Sequence, residues 1–510
     1  MKYLVIIFAF TFTLSTNVVK GQNDVDILNL AFQESGTTAR NQSLGGVGGS
    51  LGADYSSFSS NPAGGALYRQ SEMQFCLGLT SFSSNSNYLN NNTQDSKLKI
   101  VLPSLSYVGH NKTKKNTINA NGEQVRRETG AFVWSIGYNQ LSNFNRSYTL
   151  EGVNKNNSYL DVFAENANAG GGTSPNDLAY FFPFDADLAY QTNVLIPDSN
   201  NTNFYTAATI NSSPLQQATI NERGANNEIV FGIAGNFNNK IYLGASLCIP
   251  NINYTQASIF SELNTQNETT YFRNFRYNQN INMQGSGIGA KLGAIIRLNN
   301  YLRAGLAVHT PVVIDITDNY FTSMTSNTAL GSSSAASQVE NIVSYRVHTP
   351  AHFIASITAL MPKRGFVSID YELVNYNALR VDYNDQVNGF SFDEYETQLN
   401  AALDRKYKAA SNLKIGVEYL IKSNTSLRLG YANYGSPIRK DNSVAGYRYN
   451  RNLLSAGFGY RIGAIKLDAS IMYRAMRQYY RPYVMLSEPT EGAKINTGLV
   501  AIQLGVGVRF

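Results

Sequence analysis

The sequence predicts an all-β fold: a transmembrane antiparallel β-barrel of about 14 strands, its bore plugged by a compact N-terminal segment. Three observations carry that expectation. Apolar residues alternate with small or polar ones at a period of two, over many segments of about 10 or more residues. Short turns alternate with long joins along the chain. A glycine-rich, nearly uncharged stretch, residues 43–68, stands ahead of the first strand.

The last strand shows the alternation most plainly. Ile502, Leu504, Val506, Val508 and Phe510 are apolar, while Gln503, Gly505, Gly507 and Arg509 are small or polar. In a strand these two sets point to opposite faces. The same pattern recurs in Leu467, Ala469 and Ile471 against Lys466, Asp468 and Ser470, and in Val367, Ile369 and Tyr371 against Ser368, Asp370 and Glu372. A soluble sandwich also alternates, but its strands run nearer 5 to 6 residues. Here the strands are longer and charges recur on the non-apolar face.

Strands are expected near 71–83, 96–109, 129–145, 227–237, 240–259, 281–298, 301–315, 345–360, 365–380, 407–422, 425–436, 449–463, 465–480 and 495–510. Joins near 237–240, 298–301, 360–365, 421–426 and 461–465 are short. Those near 146–226, 260–280, 316–344, 381–406, 436–449 and 481–494 are long. Short turns at one end and long loops at the other is the outer-membrane arrangement, with the long loops outside the cell. An even strand count returns both termini to the periplasm.

The N-terminal residues read as an export signal over 1–21. Lys2 supplies the positive start, residues 3–14 an apolar run too short to span a membrane, and Val19 and Gly21 a cleavage point before Gln22. Residues 24–34 carry Ile27, Leu30 and Ala31 at helical spacing, with Asp24 or Asp26 as N-cap. This divides the chain into a signal peptide (1–21), a helix with a glycine-rich segment (22–70) and the barrel (71–510).

Composition excludes several functions. Charged residues are 15% of the 510 and the formal charge is +6, without a concentrated basic block. Lys112 to Lys115 and Arg126-Arg127 read as a solvated turn, so no nucleic-acid partner is expected. The four histidines, His110, His309, His348 and His352, show no HExxH or comparable metal spacing. The glycine-rich segment lacks the Gly-Lys-Ser/Thr of a phosphate loop. No enzyme activity, metal or cofactor is expected. Cys76 and Cys248 are too few for a disulfide framework; they form one bridge or stand as two unpaired small core residues.

A barrel of about 14 strands has a lumen wider than wall side chains fill, so it holds a plug or a channel. The segment GADYSSFSSNPAGGALY ahead of the strand MQFCLGLT meets that need. It resembles the hatch of the FadL/TodX family of outer-membrane transporters for long-chain fatty acids and hydrocarbons. The resemblance rests on Asn61-Pro62-Ala63-Gly64, preceded by Gly45-Gly46, Gly48-Gly49 and Asp54. It implies a fourteen-stranded barrel, a mature N-terminus placed near a bound ligand, and a greasy entry groove formed by extracellular loops. This chain is longer than the fatty-acid prototype, mostly in its loops.

In the longest join, LAYFFPFDADLAY (178–190) is an aromatic cluster. Tyr180, Phe181, Phe182 and Phe184 are candidates for capturing a lipid-like molecule; alternatively they pack the loop over the barrel mouth. Residues 392–408 have helical spacing and mixed charge; a loop helix capping the mouth is expected, with a capture role as the alternative. The C-terminal Phe510 fits the signal read by the barrel assembly machinery. The functional expectation is passive transport of a hydrophobic small molecule by a monomer embedded in outer-membrane lipid. The alternatives are a non-transport scaffold or secretion-partner barrel, and a general porin.

Overall fold

The computed structural model describes residues 24–33, 37–118, 124–209, 213–265, 271–338, 341–383, 393–441, 447 and 449–510. The export signal and Gln22 lie outside them. The wall consists of β1 (Glu72–Tyr88), β2 (Asn91–Ile118), β3 (Gln124–Asn143, continued as Arg146–Val153), β4 (Leu215–Phe237), β5 (Ile241–Leu263) and β6 (Phe272–Arg297). It goes on through β7 (Leu302–His309 and Val313–Thr328), β8 (Asn341–His348 and His352–Met361), β9 (Gly365–Asn375 and Arg380–Tyr383) and β10 (Ala409–Lys422). It ends with β11 (Thr425–Tyr434), β12 (Arg451–Ile462), β13 (Ile465–Tyr480) and β14 (Ala493–Arg509).

One sheet holds all nineteen segments. Four of them continue a wall strand past a break, and Gly331–Ala336 is a loop strand paired on β7, which leaves fourteen. Each wall strand pairs antiparallel with the next. β1 also pairs with β14 from Glu72↔Arg509 to Asn87↔Lys494, so the sheet closes and every ladder is satisfied within it. The alternation read from the sequence becomes an apolar outer face: Ile502, Leu504, Val506 and Val508 are exposed, while Gln503 and Ala501 are buried. Tyr107, Trp134 and Phe510 gather at the short-turn rim as part of an aromatic girdle.

Two expectations are corrected. Lys112 to Lys115 and Arg126-Arg127 belong to strands: Lys115 pairs with Arg127 in a β2–β3 hairpin that runs past the rim, since β1 starts only at Glu72↔Val108. The join expected over 146–226 begins and ends in strand, Arg146–Val153 pairing with β4 from Arg146↔Glu222 to Val153↔Leu215. The Arg146–Val153 extension buries Tyr148 and Leu150 on its inner face but turns Thr149 and Glu151 outward. Strand beyond the bilayer has no lipid side to keep apolar, so the outward apolar set fades.

The wall is interrupted along one line. β7 breaks at residues 310–312, β8 at 349–351 and β9 at 376–379, and β5–β6 pairing skips from Cys248↔Gly289 to Asn251↔Ser286. Pro250, Pro311 and Pro350 lie at these breaks and have no N–H to give a ladder. Cys76 and Cys248 are buried and free.

Inside, three layers stack along the bore. The hatch lies toward the short-turn rim. Above it α1 (Asp24–Ala31) buries Ile27, Leu28, Leu30 and Ala31 against an apolar lumen lined by Ile252, Met283, Ile314, Tyr345, Val381 and Tyr434. Loop helices cover the far end: α4 (Tyr159–Asn168), α5 (Leu178–Phe181), α6 (Ala186–Gln191) and α7 (Asp393–Lys406). The helix expected from the spacing of 392–408 is present as α7, and its Leu399 and Leu403 join the α1 cluster.

Candidate functional site

The hatch is built from α2 (Ala39–Ser43), α3 (Ser57–Ser60) and a 3-10 helix, Pro62–Leu67, joined by glycine turns. Gly45 and Gly46 have φ of 69° and 79°, the left-handed region where a Cβ is penalised. Pro62 opens the 3-10 helix, where the missing N–H costs nothing. Asn61 caps it, its Oδ1 accepting from Ala63 N at 3.1 Å. The same amide donates to Gly49 O at 2.5 Å and to Leu306 O of β7 at 3.2 Å. One side chain therefore holds the hatch together and fixes it to the wall. Gly64 receives a hydrogen bond from Ala53 N at its carbonyl (3.2 Å) and donates to Asn61 O (2.9 Å).

The wall meets the hatch with glycines. A Cβ on Gly293 would collide with Asn61, on Gly244 with Pro62, on Gly305 with Gly49, on Gly430 with Gly45, and on Gly232 with Phe58. Backbone thus lies on backbone around much of the ring. Asp370 of β9 accepts from Gly48 N at 2.7 Å and Gly49 N at 2.9 Å, and Ser356 Oγ donates to its other oxygen at 2.5 Å. Ser50 Oγ lies 2.6 Å from both Ser356 Oγ and Thr358 Oγ1 of β8. The Gly48-Gly49 pair is needed where the backbone itself becomes the ligand of a carboxylate.

Charge closes the rim side. Asp54 accepts from Thr38 Oγ1 (2.7 Å), Ser56 Oγ (2.6 Å) and Ser56 N (3.1 Å), with Lys466 Nζ 3.5 Å away. Lys466 pairs with Asp468 at 3.3 Å, Asp468 with Arg428 at 2.6 Å, Arg428 with Glu418 at 2.6 Å, and Glu418 with Arg40 of the hatch at 3.3 Å. Six charges of alternating sign run from one hatch residue through three wall strands to another. Burial alone would push the Asp54 carboxyl up. Lys466 and Arg40, with the hydrogen bonds from Ser56 and Thr38, outweigh it and hold Asp54 well below the usual carboxylate range.

At the line of wall breaks a second polar group faces the hatch. His309 Nε2 donates to the Ser60 carbonyl at 2.7 Å, and its ring stacks on His352 with centroids 5.6 Å apart. His352 Nδ1 lies 2.8 Å from Glu372, which pairs with Lys414 at 3.0 Å; Lys291 pairs with Glu228 at 2.9 Å.

Toward the long-loop end, the Arg451 guanidinium lies 3.3 Å from the Phe32 ring centroid, just after α1. The loop cluster separates the four aromatic candidates. Phe182 and Phe184 are buried, and Phe184 O accepts from Tyr277 Oη (2.7 Å) and Thr322 Oγ1 (2.8 Å). Tyr180 is 66% exposed and Phe181 44%, their rings edge to face at 4.9 Å. Phe510 is exposed at the rim, its N–H donating to Ser71 O at 3.1 Å.

The structure brings Gly45, Gly46, Gly48, Gly49, Asp54, Asn61, Pro62, Ala63 and Gly64 together in one body seated in the bore. Sequence reasoning did not single out their wall partners Asp370, Glu418, Arg428, Lys466 and Asp468. The signal was present: each lies on the non-apolar face of an alternating strand, a face turned to the lumen.

The model of the family described as outer membrane protein transport protein (OMPP1/FadL/TodX) matches residues 30–509 of the chain. Among solved structures, a FadL homologue of Pseudomonas aeruginosa is 11% identical, with 94% of this chain and 100% of that one covered at a TM-score of 0.57. The Pseudomonas putida toluene transporter TodX is 13% identical, with 94% and 100% covered at a TM-score of 0.52. At these identities the likeness is one of fold. No curated protein matches the chain.

Proposed function

The chain belongs to the outer membrane protein transport family (OMPP1/FadL/TodX), and we propose that it passes long-chain fatty acids or hydrocarbons passively across the outer membrane, with the N-terminal hatch as its gate. The observation that carries this reading is the filling of the bore: a hatch seated on wall glycines, with α1 packed in an apolar lumen above it.

Entry needs no chemistry. An alkyl chain leaving water gains about 0.8 kcal/mol per buried CH₂. Tyr180 and Phe181, exposed on the loops, take the first contact. The lumen around α1 then offers a larger apolar surface, and ligand and helix compete for it. Arg451, beside Phe32, favours an acid over a plain hydrocarbon, because a carboxylate gains a charge-assisted partner there.

Release follows one of two routes that share the hatch. The hatch shifts and opens the bore toward the periplasm, or the line of wall breaks parts and the cargo leaves sideways into the bilayer. Ser60, held by His309, links the two. Phe510 serves as the assembly signal, and the barrel acts as a monomer.

The test is uptake of labelled long-chain fatty acids and aromatic hydrocarbons by cells with and without the gene, beside liposome swelling with protein lacking residues 22–68. A transporter gives gene-dependent uptake of at least one class, and the deletion makes it leaky. No uptake difference across the panel favours the scaffold reading; an intact protein already as leaky as the deletion favours a porin.

A further inference from the structure

On the outer wall the line of strand breaks opens a groove, and its height in the membrane points to an occupant. Along β5 the outward residues are apolar at Ile241, Leu243 and Leu247, then turn polar at Asn251 and Asn253. Along β6 they are apolar at Ile296, Leu292 and Ile288, then polar at Ser286 and Gln284. The apolar run on β5 is about 10 residues, which for a tilted strand matches the band of about 25 Å expected of a bilayer core. The change of character marks the upper edge of the hydrocarbon, on the long-loop side.

Two adjoining hollows lie at that edge, about 430 and 590 Å³, sharing Ser286, Asp315 and Arg346. Ile288 lines the lower one, continuous with the apolar band. Asn253 and Gln284 line the upper one. Across the floor Arg346 Nε donates to Asp315 Oδ1 at 2.8 Å, and His348 Nε2 lies 2.7 Å from Asp382 Oδ2. The lower hollow is apolar only at its membrane edge, where Ile288 and Val313 line it, and it carries both of these pairs. The upper one holds the Arg346–Asp315 pair beside Asn251, Asn253, Gln284 and Thr317, and neither carries an excess of positive charge. A bare anion finds little there. A hydroxyl, which donates and accepts at once, fits such paired groups.

We propose that this groove binds one glycolipid of the outer leaflet, an acyl chain lying along Ile288 and Leu292 and its sugar hydroxyls on the Arg346–Asp315 pair, Asn253 and Gln284. The site lies outside the closed wall and is distinct from the lumen through which cargo would pass.

Native mass spectrometry of the detergent-purified protein tests this, with dephosphorylated lipid A and phosphatidic acid, a phospholipid without headgroup hydroxyls, supplied at equal concentration. The wild type should retain one glycolipid per barrel in preference to the phospholipid. R346A/D315A, and separately S286W, which fills the groove without touching the ion pair, should each weaken retention by about tenfold. Retained heat-modifiability in gel electrophoresis verifies that both variants fold. Equal retention of the two lipids overturns the proposal, as does wild-type retention by both folded variants. Preferential labelling at position 286 by a photoactivatable fatty acid in competition with the glycolipid also overturns it, and marks the groove as a cargo exit.

Discussion

The carboxylate of Asp370 accepts the N–H of Gly48 at 2.7 Å, joining the middle of wall strand β9 to the backbone of the hatch. The N–H of Gly49 binds the same oxygen at 2.9 Å, so one wall residue satisfies two buried donors. Removing it as Asp370→Ala leaves both unpaired, at a cost of about 1–3 kcal/mol each where water does not replace it. Proteoliposomes carrying the variant should swell in small sugars several-fold faster than wild type, while the barrel keeps its heat-modifiability. Asp370→Asn keeps an acceptor and should fall between the two.

The wall glycines give a prediction of opposite design. Gly293→Ala adds one methyl group where Asn61 sits. Overpacking typically costs about 1–3 kcal/mol, and here it falls on the hatch rather than on the ladder. Protease supplied from the short-turn side should cut the segment around Asn61 faster in this variant than in wild type, with the barrel fragment left intact. Unchanged cleavage would show that the hatch does not depend on this contact.

How much of this was legible beforehand follows from what each feature requires. The fourteen strands could be read because the lipid-facing set, Ile502 to Val508 for example, repeats the same period around the wall. The hatch could be read because glycine, Asn61 and Pro62 mark irregular backbone within a short stretch. Its wall partners could be read as lumen-facing from the alternation but not as partners, because Asp54 meets Lys466 and Arg40 meets Glu418 only after the barrel closes in register. The strand breaks were missed where strands were drawn straight through Pro250, Pro311 and Pro350. The burial of Phe182 and Phe184 beside exposed Tyr180 and Phe181 is set by how the short α5 turn packs, which composition does not show.

That division gives a third prediction. Tyr180→Ala with Phe181→Ala should slow uptake at low ligand concentration by up to about tenfold, the loss of one or two aromatic contacts, with little change at saturation. Phe182→Ala should instead loosen the loop cluster, seen as faster proteolysis of residues 159–191. A similar concentration dependence for both variants would remove the distinction between capture and packing.

Two carboxyls respond to pH in opposite directions. Asp54 is held below its usual range, so its contribution is full above about pH 4 and fades only as strong acid protonates it. Hatch protection should therefore stay level from pH 7 to pH 5. In the loops, burial pushes Asp185 up to about 6, against the hydrogen bonds from Ala186 N and Asn166 that favour its charged form. A raised carboxyl makes the folded loop bind the proton that the unfolded one has lost, so stability falls as pH rises from about 4 to 6. Hydrogen-exchange protection factors over α6 should be higher at pH 5 than at pH 7 in wild type. In Asp185→Asn the difference should shrink, Asp187 of the same helix, also raised by burial, keeping a smaller one.

The gate itself is tested by fixing it. Ser50 Oγ and Thr358 Oγ1 are 2.6 Å apart, so Ser50→Cys with Thr358→Cys, in a background with Cys76 and Cys248 replaced by Ala, places two thiols within reach of a disulfide between hatch and β8. Uptake of labelled long-chain fatty acid is measured oxidised and after reduction. If the hatch must move, the oxidised protein is inactive and reductant restores wild-type uptake. Equal uptake in the two states, with the disulfide verified, would contradict a moving hatch and leave the cargo a route that bypasses it.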